Sequence, residues 1–169
     1  MKKLRNNFNL RNFSDMKSVE IFTDGACSGN PGKGGFGAIL KYGSNVKEIS
    51  QGYECTTNNR MELLGAITAL EMLKEPCRVD LYSDSKYLVD SVNLGWIKKW
   101  QANGWKRSGK EKAKNVDLLI RLLEQLDRHK VSFIWVKGHD GHPENERCDT
   151  LAVNASRSDN LICDDGYNN

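Results

Sequence analysis

The feature that most constrains this chain is a change in its hydrophobic spacing. From residue 18 to residue 54 the segments read as strands. In SVEIFTD, Val19, Ile21 and Thr23 alternate with Glu20, Phe22 and Asp24, and apolar side chains fall on both sides, the pattern of a central strand. FGAILKY, an apolar run, and KEISQGYE read as two more strands, and the glycine-rich stretch and the turn YGSN between them predict consecutive antiparallel hairpins. From TTNNRMELLGAITALEMLK onward the spacing becomes helical, with capping residues in front and Pro76 beyond. RVDLYSD then reads as a strand and SKYLVDSVNLG as a helix. NVDLLIRLLEQLDRHK is an amphipathic helix, VSFIWVKG a fifth strand, and PENERCDTLAVNAS a last helix with proline in its first turn. Strand, helix, strand order implies parallel crossovers. The fold class is therefore α/β, a mixed five-stranded sheet of three antiparallel strands followed by parallel α/β units and flanked by helices.

At 169 residues, 38% hydrophobic and 28% charged, the chain suits one compact domain with a real core. Its body is expected over residues 18–156, with a frayed N-terminal tail over 1–17 and a C-terminal tail over 157–169. No apolar run approaches the roughly 20 residues that span a bilayer, and the N-terminus lacks the apolar heart of a secretory signal. A cytoplasmic monomer without membrane partners is expected, although the basic, acid-poor N-terminus leaves a presequence reading open. The five cysteines form no C-x-x-C pair and are odd in number, against both a zinc cluster and a fully paired disulfide framework.

TDGACSGNPGKGGFGAIL looks like a phosphate cradle, but Lys33 is followed by Gly34, where a P-loop needs Ser or Thr. An apolar, aromatic run follows the glycines, against a dinucleotide fingerprint, which needs a helix there. That leaves Asp24. Two strands, SVEIFTD and RVDLYSD, end on aspartate, and ligands of open α/β sheets sit beyond the carboxyl ends of strands. Glu62 extends the helical stripe Ala66, Ala69, Leu70 and Leu73 where an apolar residue is expected; the alternative is a capping box with Asn59 as N-cap. Asp149 borders the stripe Cys148, Leu151, Ala152 and Ala155, with Asn145 one turn earlier, and is otherwise an acid helped by the helix dipole. Four carboxylates at one sheet end repel one another unless cations sit among them. Oxygen ligands without His or Cys suit magnesium, and two such ions serve phosphodiester hydrolysis.

Two further stretches carry chemistry. KGHDGHPENE places His139 and His142 in a glycine-flanked loop, where a neutral imidazole can carry protons. GWIKKWQANGWKRSGKEKAKN sets Trp96, Trp100 and Trp105 among Lys98, Lys99, Lys106, Arg107, Lys110, Lys112 and Lys114. Cations alternating with flat rings suit a nucleic-acid backbone, while tryptophans four apart also suit packing on a core.

TDGACSGNPGKGGFGA, TTNNRMELLGAI, YSDSKYLVDS, the tryptophan-rich basic segment and VKGHDGHPENERCDTLA together resemble the successive motifs of type 1 ribonuclease H, bacterial-type and single-domain with a basic protrusion. The resemblance runs from about Ser18 to the C-terminal region. It implies endonucleolytic hydrolysis of the RNA strand of an RNA–DNA hybrid, leaving 5′-phosphate and 3′-hydroxyl ends. Two Mg2+ ions, with Mn2+ able to substitute, would be held by Asp24, Glu62, Asp84 and Asp149. The resemblance assigns proton transfer or product release to His139. It assigns substrate contacts to Cys27, Asn30, Asn58, Asn59, Lys86 and Asn145, a DNA-phosphate pocket to Thr57 and Asn115, and grip on the DNA strand to the protrusion with Trp96, Trp100, Trp105 and Lys106. One departure is Cys55, where relatives often carry arginine. The rival readings are a non-catalytic hybrid-binding module, and a DNA-cutting transposase, integrase or resolvase of similar fold.

Overall fold

The computed structural model describes residues 13–167. The expectation of a frayed tail falls mostly on residues 1–12, outside the described residues. A short 3-10 turn, Phe13–Asp15, leads into β1 (Lys17–Cys27), β2 (Gly32–Tyr42) and β3 (Asn45–Thr56). Helix α1 (Asn58–Glu71) precedes β4 (Cys77–Ser83), and α2 (Lys86–Asn93) and α3 (Trp96–Ala102) follow. Then come a small hairpin of β5 (Lys106–Ser108) and β6 (Glu111–Lys112), α4 (Val116–Arg128), β7 (Lys130–Trp135), α5 (Pro143–Ser156) and β8 (Leu161–Ile162). The main sheet has the order β7-β4-β1-β2-β3-β8. β1–β3 are antiparallel, and β4 and β7 join β1 in parallel through helical crossovers.

The sheet has six strands, not five. The sixth, β8, pairs in parallel with Gly52 and Tyr53 of β3. Two residues are too short for hydrophobic periodicity to reveal. β1 also runs three residues past Asp24, because Gly25, Ala26 and Cys27 pair with Phe36, Gly35 and Gly34 across the hairpin.

One face of the sheet carries the main core. Val19, Ile21, Val79 and Leu81 are buried there with Leu63, Ile67 and Leu70 of α1 and Leu119 and Leu122 of α4. The other face is covered by α5 across β1, β2 and β3. Three glycines permit that approach: a Cβ on Gly35, Gly37 or Gly52 would lie 2.6, 2.5 or 2.1 Å from the carbonyl oxygen of Ala152, Cys148 or Ala155. Beyond α5's reach this second face stays half open, with Phe22 stacked on Tyr82 at 4.8 Å and the Lys41 ammonium 5.4 Å from the Phe22 ring. No helix among the described residues is long and apolar enough to cross a membrane.

Candidate active site

Asp24 pairs with Gly37 in the β1–β2 ladder, directly beneath α5. Asp84 follows the last residue of β4, and Thr23 pairs with Ser83 in the parallel β1–β4 ladder, so the two aspartates emerge side by side. Ser85 turns the chain at once by accepting from the Leu88 N–H at 3.1 Å as the N-cap of α2. Glu62 arrives from the opposite face on α1. A Cβ on Gly25 would lie 2.8 Å from the Glu62 nitrogen and 2.9 Å from Met61, so only glycine lets that helix start lie against β1.

The N-cap of α1 is Thr57, whose hydroxyl accepts from the Arg60 N–H at 3.3 Å. The capping box with Asn59 at the cap is therefore corrected: the helix begins two residues earlier, and Glu62 is free for other work. Its Oε2 is buried and has no hydrogen-bond partner.

Carboxylate oxygens of Asp24, Glu62 and Asp84 lie within 4.8 Å of one another. Asp149, on α5, borders the same cleft of about 440 Å³. Burial first, then the charges of Asp84 and Asp149, push the Asp24 carboxyl up to about 8, against a 2.9 Å hydrogen bond from the Gly25 N–H. Burial, with Asp24 and Asp84 nearby, holds Glu62 well above the ordinary carboxylate range. Among the described residues no salt bridge reaches these four acids. Lys86, on the rim, instead holds its ammonium 4.3 Å from the Trp135 ring centre, while the Trp135 indole donates to the Asp84 carbonyl at 3.1 Å. An unpartnered buried carboxylate oxygen facing two more carboxylates, with oxygen the only donor type, fits a hard divalent cation. A larger groove of about 530 Å³ at the other end of the sheet lacks such a cluster; its acid, Glu75, pairs with Lys17 at 2.7 Å.

His139 lines the cleft from the loop between β7 and α5, exposed and in a left-handed backbone conformation with φ of 56°. The preceding residue explains the loop's path, since a Cβ on Gly138 would lie 2.6 Å from an Asp84 oxygen. His142 occupies the N-cap position of α5 without a side-chain cap bond.

The remaining residues singled out in the sequence divide by place. Asn58, Asn59 and Lys86 line the cleft. Asn30 accepts from the Asn58 N–H at 2.9 Å, and the Cys27 thiol lies 3.4 Å from the Thr56 carbonyl, tying the glycine-rich loop to the start of α1. Asn145 is buried in the first turn of α5 and does not line the cleft. Asn115, with φ of 60°, precedes α4 and lines a second pocket of about 220 Å³ with Asn59, Tyr87, Trp96, Trp100 and Arg107. Trp100 and Trp105 pack on the core while Trp96 is 36% exposed, so the tryptophans serve both purposes. Lys98, Lys99, Lys106, Arg107, Lys110, Lys112 and Lys114 are all exposed on the lobe formed by α3, the hairpin and the segment before α4.

Sequence reasoning missed the ion cluster at the start of α1, where buried Arg60 pairs with buried Asp164 and exposed Asp117, and Tyr87 beside it. One signal was present. Arg60 continues the apolar positions Leu63, Leu64 and Ile67 by one helical turn, and a buried guanidinium needs buried acids.

The sequence model of the RNase H family matches residues 16–157. Ribonuclease H of Rippkaea orientalis is 58% identical over 153 residues, covering 90% of this chain and 94% of that protein. The chain belongs to the ribonuclease H family. Its activity class follows: it is a ribonuclease, a hydrolase of phosphodiesters. Among solved structures, LC9-RNase H1, a type 1 RNase H with the type 2 active-site motif, superposes with a TM-score of 0.75 at 31% identity, covering 84% of this chain and 73% of that one. LC11-RNase H1, solved in complex with an RNA/DNA hybrid, shares the fold with a TM-score of 0.63 at 23% identity, covering 82% and 96%. The mixed sheet flanked by helices is the fold of these ribonucleases.

Proposed function

We propose that this ribonuclease cuts the RNA strand of RNA–DNA hybrids endonucleolytically, as a cytoplasmic monomer using two Mg2+ ions for which Mn2+ substitutes. The observation that carries the reading is the carboxylate cluster around the unpartnered Glu62 oxygen, at a sheet end flanked by an exposed basic lobe. Asp24, Glu62, Asp84 and Asp149 would hold the ions. When bound, such ions supply a nucleophilic water at neutral pH and neutralise charge on the scissile phosphate.

The chain's own groups do the rest. Glu62, which shares the cleft with Asn58 and Asn59, would hold an ion and contact the 2′-hydroxyl, a group that both donates and accepts hydrogen bonds and separates RNA from DNA. Asn58, Asn59, Asn30, Cys27 and Lys86 line the RNA path, and Asn145 supports it from α5. His139, on its exposed loop, carries a proton to or from the reacting oxygens and releases product. Thr57 and Asn115 receive a DNA phosphate. The lobe with Trp96, Trp100, Trp105 and Lys106 grips the DNA strand through charge and ring contacts. Hydrolysis leaves a 5′-phosphate and a 3′-hydroxyl.

End-labelled hybrid, duplex RNA, duplex DNA and single strands, each with magnesium or with chelator, test the proposal. Cleavage of the hybrid's RNA alone, and only with metal, is expected. Cleavage of duplex DNA, or of hybrid in chelator, would refute it.

A further inference from the structure

The family match ends at residue 157, yet the chain beyond it is built into the body. β8 pairs with β3, and the Gln51 amide donates to the Asn160 carbonyl at 2.9 Å. Two residues past β8, Asp164 is buried, only 7% exposed. It accepts from the Thr56 hydroxyl at 2.8 Å and from Arg60 Nε and Nη2 at 2.7 and 2.9 Å.

Arg60, 2% exposed, joins three parts of the molecule. Besides Asp164 it donates to Asp117, in the first turn of α4, through Nη1 and Nη2 at 2.9 and 2.7 Å. Its Nη1 also reaches the Asn115 side-chain oxygen at 3.5 Å. All five guanidinium N–H groups are thereby used. Asn115 passes the constraint on, donating its amide to the Tyr87 hydroxyl at 3.2 Å. Asn115 and Tyr87 are both walls of the second pocket, whose mouth carries Arg107 and Lys114. The chain also closes over the ion cluster at Gly166, where a Cβ would lie 1.8 Å from an Asp117 oxygen.

We propose that the C-terminal segment, residues 161–166, is a positioning strap: through Asp164 and Arg60 it sets Asn115 and Tyr87 in the wall of the pocket that takes a backbone phosphate of the hybrid. The strap therefore tunes substrate affinity and leaves the hydrolytic step to the carboxylates. This rests on the ribonuclease H reading of the site. Asp164 bonds none of the cleft carboxylates, whereas a single side chain, Arg60, joins it to Asn115. A group that holds ground state and transition state equally changes KM and spares kcat.

The test is steady-state cleavage of a short hybrid by Asp164→Asn, at a temperature where its circular dichroism matches wild type. KM is expected to rise about three- to tenfold with kcat within about twofold. Asn115→Ala should raise KM similarly, and the double variant should be no worse than the worse single variant, because both act at one pocket. Unchanged KM in Asp164→Asn, a fall in kcat at constant KM, or multiplicative effects in the double variant would overturn the strap. Should Asp164→Asn not fold, Asp117→Asn takes its place with the same expectations. Equilibrium binding of the hybrid in chelator, followed by fluorescence anisotropy, reads the pocket without hydrolysis. A wild type that binds but never cleaves refutes the hydrolase reading, and the affinities of the same variants then decide the strap separately.

Discussion

Glu62 and Arg60 stand two residues apart on one helix, both buried, and meet opposite electrostatic surroundings. Arg60 has two carboxylates, buried Asp164 and exposed Asp117, and with the Asn115 oxygen a partner for every donor. Glu62 has two like charges and an oxygen with nothing to bond. Burial costs both groups hydration; only one recovers it from the chain. The difference separates a charge satisfied by the fold from one the fold leaves without a counter-charge. The first is complete without a ligand, and the second is a demand for a cation that the sequence does not contain.

The largest expected effect tests the incomplete cluster. Asp24→Asn should lower cleavage about a thousandfold or more by removing an ion ligand. It should also raise the melting temperature measured in chelator, because a like charge is gone. Loss of activity accompanied by a lower chelator melting temperature would place Asp24 with Arg60 as a structural group.

The complete cluster should respond the other way. Asp164→Ala leaves the buried guanidinium short of a partner and should cost about 3 kcal/mol of unfolding free energy in urea melts. The same loss is expected with and without magnesium, since no ion is involved. A loss that magnesium repairs would break the distinction.

His139→Ala is a smaller effect. Turnover at saturating hybrid should fall severalfold without vanishing, while the melting temperature stays put, because the residue is exposed and on a loop. Unchanged turnover would remove it from the mechanism.

The smallest effect sharpens the comparison with a third kind of buried group, one kept neutral. His129 is 4% exposed, with Nδ1 accepting from the Cys77 N–H at 3.0 Å and Nε2 3.2 Å from the Leu70 carbonyl. Burial, with Arg128 adjacent, lowers its pKa below the ordinary 6.5. The unfolded chain therefore takes up the proton first. Stability from this group is whole above about pH 6.5 and declines as pH falls toward the folded pKa. His129→Gln should flatten that part of the pH profile in thermal melts.

Much of this was legible from spacing. α5 begins and ends where the pattern PENERCDTLAVNAS does, and the carboxylates at strand ends and in a helical stripe converge, with Asp149 lining the same cleft. What was not legible involves single contacts between distant segments. The capping residue of α1 is open in the sequence, because Thr57, Asn58 and Asn59 are all competent caps, and the Arg60 N–H bond to Thr57 selects among them. The sixth strand is two residues long and owes its place to β3 and Asp164 rather than to its own pattern.

The amino-acid order by itself determined the types of the longer elements, the sheet's mixed topology and which acids stand out as candidates, because periodicity and chain connectivity are local properties. Tertiary structure alone decided how closely those acids approach, through Gly25 on β1 and Gly37 on β2, where the absence of a Cβ lets one helix settle against each face of the sheet beside Asp24. It alone decided, too, that the chain past Ser156 belongs to the body, since a buried guanidinium finds its counter-charge by position in space and not by distance along the sequence.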